Sequence, residues 1–474
     1  MNRRRFVKQV SLATGALLFT RYTALAADNP VFPTVRIAER KRKFRSEAVE
    51  KTIEEIKQNI GNKELAWLFE NCFPNTLDTT VDYRQLNGRP DTYVITGDID
   101  AMWLRDSAAQ VLPYLPLCNK DKALQQLIAG VINRQTKCIL KDPYANAFYK
   151  DENKISSWRT DNTDMKPGVH ERKWEIDSLC YPIRLAHSYW KTTNDTSVFD
   201  ADWLRAMKLI VKTFKEQQRY NDDGPYSFQR KTENPSDSLP MNGFGYPVKA
   251  NGLICSSFRP SDDATVYAYL IPSNFFALSA LKQLKELLVL HSAEGDIVSD
   301  VNTLIKQVSN ALDEYATVNY KAFGKIYAYE VNGYGSCNLM DDANIPSLLS
   351  LSYLIPGMQT DETYLRTRKY ILSSNNPFFY KGSAAEGIGG PHVGKDMIWP
   401  ISIIMRGMTS KEDDEIKYCL RMLQNTHAHT GFMHESFHKD NPAQYTRSWF
   451  AWANSLFGEF ILKLYNERPH LLNA

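Results

Sequence analysis

Apolar residues recur along most of the chain at intervals of three and four, the spacing of helices that bury one face. The pattern predicts helices in "RSEAVEKTIEEIKQNI" (45–60), "WLRDSAAQVLPYLPL" (103–117), "DKALQQLIAGVINRQTKCIL" (121–140), "WEIDSLCYPIRLAHSYWKTT" (174–193) and "DADWLRAMKLIVKTFKEQQ" (200–218). A longer run, 264–290, should break or kink near Pro272. Further helices are expected at 297–316, 344–355, 361–372, 397–408, 411–426 and 448–467. Strict alternation is rare. "TYVITGDI" and "GKIYAYEVNG" read as short hairpin strands. Long loops remain at 142–172, 220–260 and 376–395, a length that usually signals work to do. Paired helices with such loops predict a mainly α fold, a toroid of helical hairpins with a site at one end. A solenoid is the alternative, but no fixed repeat period is visible.

The N-terminal pattern is different. "NRRRFVKQV" leads into the apolar run "VSLATGALLF", too short for a membrane anchor, and "ALA" at Ala24–Ala26 has the small-x-small form of a cleavage site. Residues 1–26 read as an export signal, with the Arg-Arg-x-Phe pattern of the twin-arginine route and an ordinary Sec signal as alternative. Residues 27–43 form a Pro-containing lead-in, and 44–474 a single domain. The signal holds five of the 57 basic residues and no acid, which leaves 52 against 54 acids. The apparent basicity of the chain belongs to the signal. Nothing in the remainder suggests nucleic acid or an anionic membrane surface. Seven scattered cysteines without C-x-x-C fit core thiols, with one or two bridges possible in an exported protein.

Candidate chemistry lies at the loop-to-helix junctions. "GDIDAMWLRDS" places Asp98, Asp100 and Asp106 around Trp103 and Arg105. Its acids can simply satisfy a helix N-terminus, or the block can grip a sugar, with Arg and Asp bonding hydroxyls and Trp packing on the ring. "SSFRPSDDATVY" sets Asp262 and Asp263 beside Arg259 at the mouth of an apolar helix, a setting for a cap or for a tuned carboxyl. Glu175, Asp177, Asp341 and Asp342 recur in similar places. Each alone reads as a cap, yet a toroid would gather them at one end. "AAEGIGGPHVGKDMIWPIS" has four glycines around His392 and lacks the strand–Gly–helix setting of a dinucleotide loop, so a loop lining a cleft fits better. Aromatic residues make up 12% of the chain, enough either for the core or for a sugar cleft.

"GFMHESFHKD" matches H-E-x-x-H through His434, Glu435 and His438. A zinc peptidase needs both imidazoles one helical turn apart on a helix. This stretch is a poor helix, with Gly431 before it and Asn441–Pro442 after it, and Glu459 as third ligand can simply ride its own helix. A loop presenting Glu435 between two histidines is the better reading.

Taken together, "GDIDAMWLRDSAAQVLPYL", "ERKWEIDSLCYP", "FRPSDDATVYAYLIPSN", "MDDANIPSLL", "GIGGPH", "IWPISII", "MHESF" and "SWFAWANSLFGE" resemble glycoside hydrolase family 125, from about Phe44 to the C-terminus. The resemblance implies an (α/α)6 barrel and an exo-acting, inverting α-1,6-mannosidase without metal or cofactor. Its partner would be a mannose-containing oligosaccharide or N-glycan, and the processed chain would be a periplasmic or secreted monomer. It further implies that the general acid is an Asp of "RPSDD", Asp262 with Asp263 as alternative, and that the general base is Glu435. Trp103, Arg105 and Asp106 would hold the terminal mannose. Arg259, His392, Trp399 and Asn454 lie in matching blocks. Lys395–Asp396 departs from the usual loop, at the outer subsite. A non-catalytic mannoside-binding protein of the same shape is the competing reading.

Overall fold

The computed structural model describes residues 32–291 and 295–473. The expected export signal lies outside them. Thr34–Ala474 forms one unit, and its described part is mainly helical. Most of the expected helices are present: Glu47–Asn59, Lys122–Lys141, Ile176–Thr193, Ala201–Glu216, Asp296–Tyr315, Glu362–Ile371, Asp413–Thr426 and Ala451–Glu467. Caps set several starts. Ser46, Asp121, Asp200 and Asp361 each accept a backbone N–H of the first turn.

Proline and buried acids account for the departures. Pro272 does not kink a long helix. It sits in the first turn of Ile271–Leu290, where its missing N–H costs nothing, and Tyr269–Leu270 before it is strand. The 103–117 stretch divides into a short helix, Leu104–Ala109, and a 3-10 segment, Leu112–Lys120, that accommodates Pro113 and Pro116. The apolar 344–355 stretch is helical only at Leu351–Leu354. There Asp341 takes the N–H groups of Leu348 and Leu349 at 2.8 and 3.0 Å, in place of a longer helical ladder. Lys63–Cys72 escaped the periodicity reading because it is apolar on more than one face and almost wholly buried, and the five-residue Asn75–Thr79 helix escaped with it.

Helices 122–141, 176–193 and 271–290 pack in succession, and 400–408 packs on both 413–426 and 451–467. The last long helix also packs on Lys63–Cys72, Asn75–Thr79 and Leu104–Ala109, so late and early helices of the described unit meet. The sheets are small. Arg89–Val94 pairs antiparallel with Val81–Leu86, and Gly324–Tyr327 with Thr317–Tyr320. Three-stranded patches join Met102–Trp103 to 147–148 and 169–171, and Met397–Ile398 to 437–438 and 441–445. Each patch leads directly into a helix, Leu104–Ala109, Ile176–Thr193 or Pro400–Met408. These patches therefore fix where the loop-to-helix junctions point.

The lead-in is tied to this unit. Arg36 is largely buried and donates to Asp78 at 2.7 Å and to both oxygens of Glu50 at 2.6 and 2.9 Å. All seven cysteines are unpaired, and six are buried. No helix among the described residues is long and apolar enough to cross a membrane.

Candidate active site

The turn 259–263 brings the first candidate carboxyl into place. Asp262 adopts a left-handed backbone, φ +70°, which most residues avoid. Its N–H donates to the Arg259 carbonyl at 2.9 Å, and its own carbonyl accepts from Lys173 Nζ at 2.8 Å. Neighbouring side chains of the turn are anchored elsewhere. Arg259 donates to Glu330 at 2.7 Å, Ser261 to Asp342 at 2.7 Å, and Asp263 accepts from Ser236 at 2.6 Å. Asp262 Oδ1 is buried without a hydrogen-bond partner.

Two faces of this turn carry different chemistry. Asp263 turns toward Ser236 and His392, whose Nδ1 lies 3.9 Å away. Burial pushes its carboxyl upward against the opposing pull of His392. Asp262 instead shares the electrostatic neighbourhood of Asp106, Arg105, Glu175 and Arg447. Asp106 is buried, and burial pushes its carboxyl up to about 6, with Arg105 pulling down and Asp262 adding to the rise. Arg105 is held by Glu175 at 2.7 Å and Asp177 at 3.0 Å, and its Nε faces Asp106 at 3.5 Å. The two acids read as helix caps in the sequence thus clamp an arginine. Its guanidinium lies 5.8 Å from the Trp452 ring.

Glu435 comes from a loop between the helices Asp413–Thr426 and Ala451–Glu467. Asn454 fixes this loop by accepting the Met433 N–H at 2.8 Å while donating to Asn75 at 3.1 Å. Phe450 N–H returns a bond to the Met433 carbonyl at 2.9 Å, and Ser436 is stapled to Thr446. Arg447 Nε stands 3.4 Å from Glu435 Oε1, and its Nη1 3.5 Å from Asp98. Burial works against the Arg447 charge, but Glu435, Asp98, Asp106 and Asp262, in that order, more than offset it. One guanidinium therefore sees both candidate carboxyls, which lie far apart in the chain.

The H-E-x-x-H stretch is loop and strand, not helix. His434 Nδ1 bonds the Arg447 carbonyl at 2.9 Å, and its ring stacks on Tyr445 at 4.0 Å. Burial pulls this imidazole down to about 4. His438 Nδ1 instead accepts the Asp440 N–H at 3.2 Å. Glu459, on the Ala451–Glu467 helix, accepts from Tyr353 of Leu351–Leu354 at 3.0 Å. The two imidazoles do not meet at a common point, so the zincin geometry is not formed. No cluster of three His, Cys, Asp or Glu suited to a metal occurs among the described residues.

Other candidates divide into wall and support. Trp399 is buried, 6.4 Å from the His392 ring and 6.1 Å from Phe450, with its Nε1 unpartnered. Trp103 is buried edge-on to His170 at 5.2 Å, over Ala101 and Ala147. Arg259 and Asn454 are almost fully buried and spend their polar groups on Glu330, Met433 and Asn75. They brace the acidic turn and the Glu435 loop. The glycine run lies tightly against its neighbours, since a Cβ on Gly389 would fall 2.1 Å from the Met397 carbonyl. Sequence reasoning missed Arg447 and Lys173. Both stand in quoted or adjacent blocks, "ERKWEID" and "QYTRSWF", where nothing in the local pattern marks them out.

A model of the family described as metal-independent alpha-mannosidase (GH125) matches residues 62–462. A Streptococcus pneumoniae protein, one of a family of widely distributed metal-independent alpha mannosidases, has a solved structure as a non-productive complex with alpha-1,6-mannobiose. It is 41% identical and superposes with a TM-score of 0.86 over 90% of this chain and 100% of its own. The meiotically up-regulated gene 157 protein of Schizosaccharomyces pombe is 43% identical over 458 residues, 93% of this chain and 90% of that one. A GH78 family rhamnosidase of Bacillus sp. GL1 shares the fold alone, at 11% identity and a TM-score of 0.51 over 84% of this chain and 34% of its own. With most of its length matched and its carboxylates gathered around Arg105 and Arg447, the chain belongs to glycoside hydrolase family 125, the metal-independent α-mannosidases.

Proposed function

We propose that this chain is an exo-acting α-1,6-mannosidase that inverts the anomeric centre, with Asp262 as general acid and Glu435 as general base. The observation that carries the proposal is the pair of remote carboxyls sharing Arg447, one on the 259–263 turn and one on the 431–436 loop. The α-1,6 linkage is supported by the mannobiose bound to the Streptococcus pneumoniae relative. An (α/α)6 barrel fits the succession of packed helices and the contact of Ala451–Glu467 with Lys63–Cys72 and Asn75–Thr79.

In the reaction, Asp262 gives its proton to the departing glycosidic oxygen as the bond from C1 breaks. A water on the opposite face attacks C1 and loses a proton to Glu435. Inversion requires the two carboxyls to stand roughly 6.5–9.5 Å apart, with that water between the sugar and the base. Arg447 stands beside Glu435, its Nε 3.4 Å from Oε1. Arg105 and Asp106 offer a cation and an acceptor to the terminal mannose, and Asp106 becomes a full acceptor as pH rises through about 6. His392, Trp399 and Trp103 supply aromatic surface on the two sides. No protein step needs a metal. The substrate is a mannose-containing oligosaccharide or N-glycan, and the processed enzyme acts outside the cytoplasm as a monomer.

The decisive experiment incubates the protein with α-1,6-mannobiose in excess EDTA and follows the first-formed anomer by proton NMR. β-Mannose should appear first, at an undiminished rate. α-Mannose first, or loss of hydrolysis in chelator, refutes the mechanism. Binding of mannoside without turnover would favour the non-catalytic reading.

A further inference from the structure

Lys173 is 1% exposed, a rare position for an ammonium. It follows the strand Val169–Glu171 and precedes the helix that carries the Arg105 clamp, and its backbone N–H is fixed by Asn146 at 3.1 Å. Its Nζ reaches Asp237 at 3.0 Å and the Asp262 carbonyl at 2.8 Å, with Glu171 at 3.9 Å. The stem lies over Phe258, 5.0 Å from ammonium to ring centre. Burial alone would discharge it, but Glu171, Asp262 and Asp237 reverse the sign and hold its pKa above the ordinary value.

This contact matters because of the backbone it meets. A left-handed Asp costs about 1 kcal/mol against the ordinary regions, so the turn needs a restraint. Every other side chain of the turn that can bond is tied to a different partner, whereas Asp262 keeps Oδ1 free of hydrogen bonds. Backbone anchorage therefore aims the Asp262 carboxyl, and the ammonium supplies one of its two bonds. The other is the Arg259 carbonyl. We infer that Lys173 is a positioning residue for proton donation, holding Asp262 in the left-handed conformation that turns its carboxyl toward the Arg105–Asp106 side and away from Asp263. The inference rests on the reading of Asp262 as the general acid.

The test compares two substrates in the full chain. α-1,6-Mannobiose needs its leaving oxygen protonated, and 2,4-dinitrophenyl α-mannoside does not. The ratio of the two kcat values does not depend on how much enzyme is folded, so partial misfolding leaves it readable. Lys173→Met should lose about 10- to 100-fold on mannobiose, a share of the 10²–10⁴ that general acid catalysis contributes, and under about 3-fold on the aryl mannoside. Lys173→Arg, which keeps a charged donor, should recover part of that ratio. Asp237→Asn, a milder change that loosens the ammonium from its far side, should move the ratio in the same direction by less. Asp262→Asn should show the same substrate dependence, but larger. If Lys173→Met and Asp237→Asn fall in parallel on both substrates while Asp262→Asn does not, the positioning role is refuted and the acid assignment stands. If Asp262→Asn itself falls in parallel, both are refuted.

Discussion

Replacing Asn454 with Ala isolates what holds the Glu435 loop. The native carboxamide is fully buried at the first turn of Ala451–Glu467, accepting from Met433 N–H and donating to Asn75 Oδ1. The substitution orphans both. Met433 is buried, so its N–H should cost about 2–3 kcal/mol, the upper part of the range for an unsatisfied buried donor. Asn75 helps line a small surface cavity where water can reach, so its oxygen should cost about 1 kcal/mol. The expected loss is about 3–4 kcal/mol, a large part of the 5–15 kcal/mol that stabilises a typical protein. Urea unfolding at pH 7 reads it directly. Because Met433 lies two residues before Glu435, the folded fraction should also lose about 10- to 100-fold in kcat, the scale of a 1 Å misplacement. Asn454→Asp keeps the acceptor for Met433 and should lose less than half as much stability. A loss below about 1 kcal/mol for Asn454→Ala would show that the loop is held by other contacts. A full stability loss with unchanged kcat would show that loop position does not govern the base.

Glu435→Gln should leave the fold intact and lower kcat on mannobiose by about 10²–10⁴, checked against circular dichroism of the same samples. His434 should make stability fall with acid. Its imidazole titrates near 4 in the folded chain against about 6.5 unfolded, so its contribution is full above 6.5 and is lost as pH falls toward 4. Between pH 7 and pH 5 that loss is about 2 kcal/mol, read as the difference in urea stability between the native chain and His434→Phe, because Asp106 works in the opposite direction. Asp106 is raised to about 6, so its folded form binds the extra proton and its contribution fades as pH rises from about 4 through 6. Asp106→Asn should therefore steepen the acid loss. Arg36→Met should cost about 2–3 kcal/mol in the same assay, since it strips the main partner from buried Asp78 while Arg42 remains 3.6 Å away.

Much of this architecture was legible in the sequence because helical spacing is a local property. The helices at 121–141, 176–193, 296–315 and 451–467 follow directly from it. The failures came where a buried polar group competes with the helix ladder. "NIPSLLSLSYLI" has the right apolar content, but Asp341 takes the N–H groups a helix would need, and no periodicity records that bargain. Lys63–Cys72 failed for the opposite reason, since a helix buried on several faces has no polar stripe to reveal it. In the site, residue types singled out blocks of sequence, and long-range partners were invisible. Glu175 and Asp177 look like caps until Arg105, about 70 residues away, is seen between them.

The same limit explains why Asp262 and Asp263 read as interchangeable and are not. Neighbouring residues in a turn point apart, and a left-handed backbone at the first of them decides which carboxyl goes where. Asp263 meets Ser236 and His392, partners that fix a carboxyl in one place. Asp262 meets Arg105, Asp106 and Arg447 through space only, and although Asp263 Oδ2 is as free of hydrogen bonds as Asp262 Oδ1, the Asp263 carboxyl is tied through its other oxygen. A group that must deliver a proton to a sugar oxygen has to be free to turn toward it. A group that is already bonded must break a contact first, at a cost of about 1–3 kcal/mol for a buried acceptor. The difference between the two aspartates is thus made by the backbone and its two anchors. Asp262→Asn should consequently cost far more activity than Asp263→Asn on mannobiose, and far less stability, because only the Asp263 carboxyl accepts a hydrogen bond from its surroundings. The reverse order in both assays would assign the acid to Asp263.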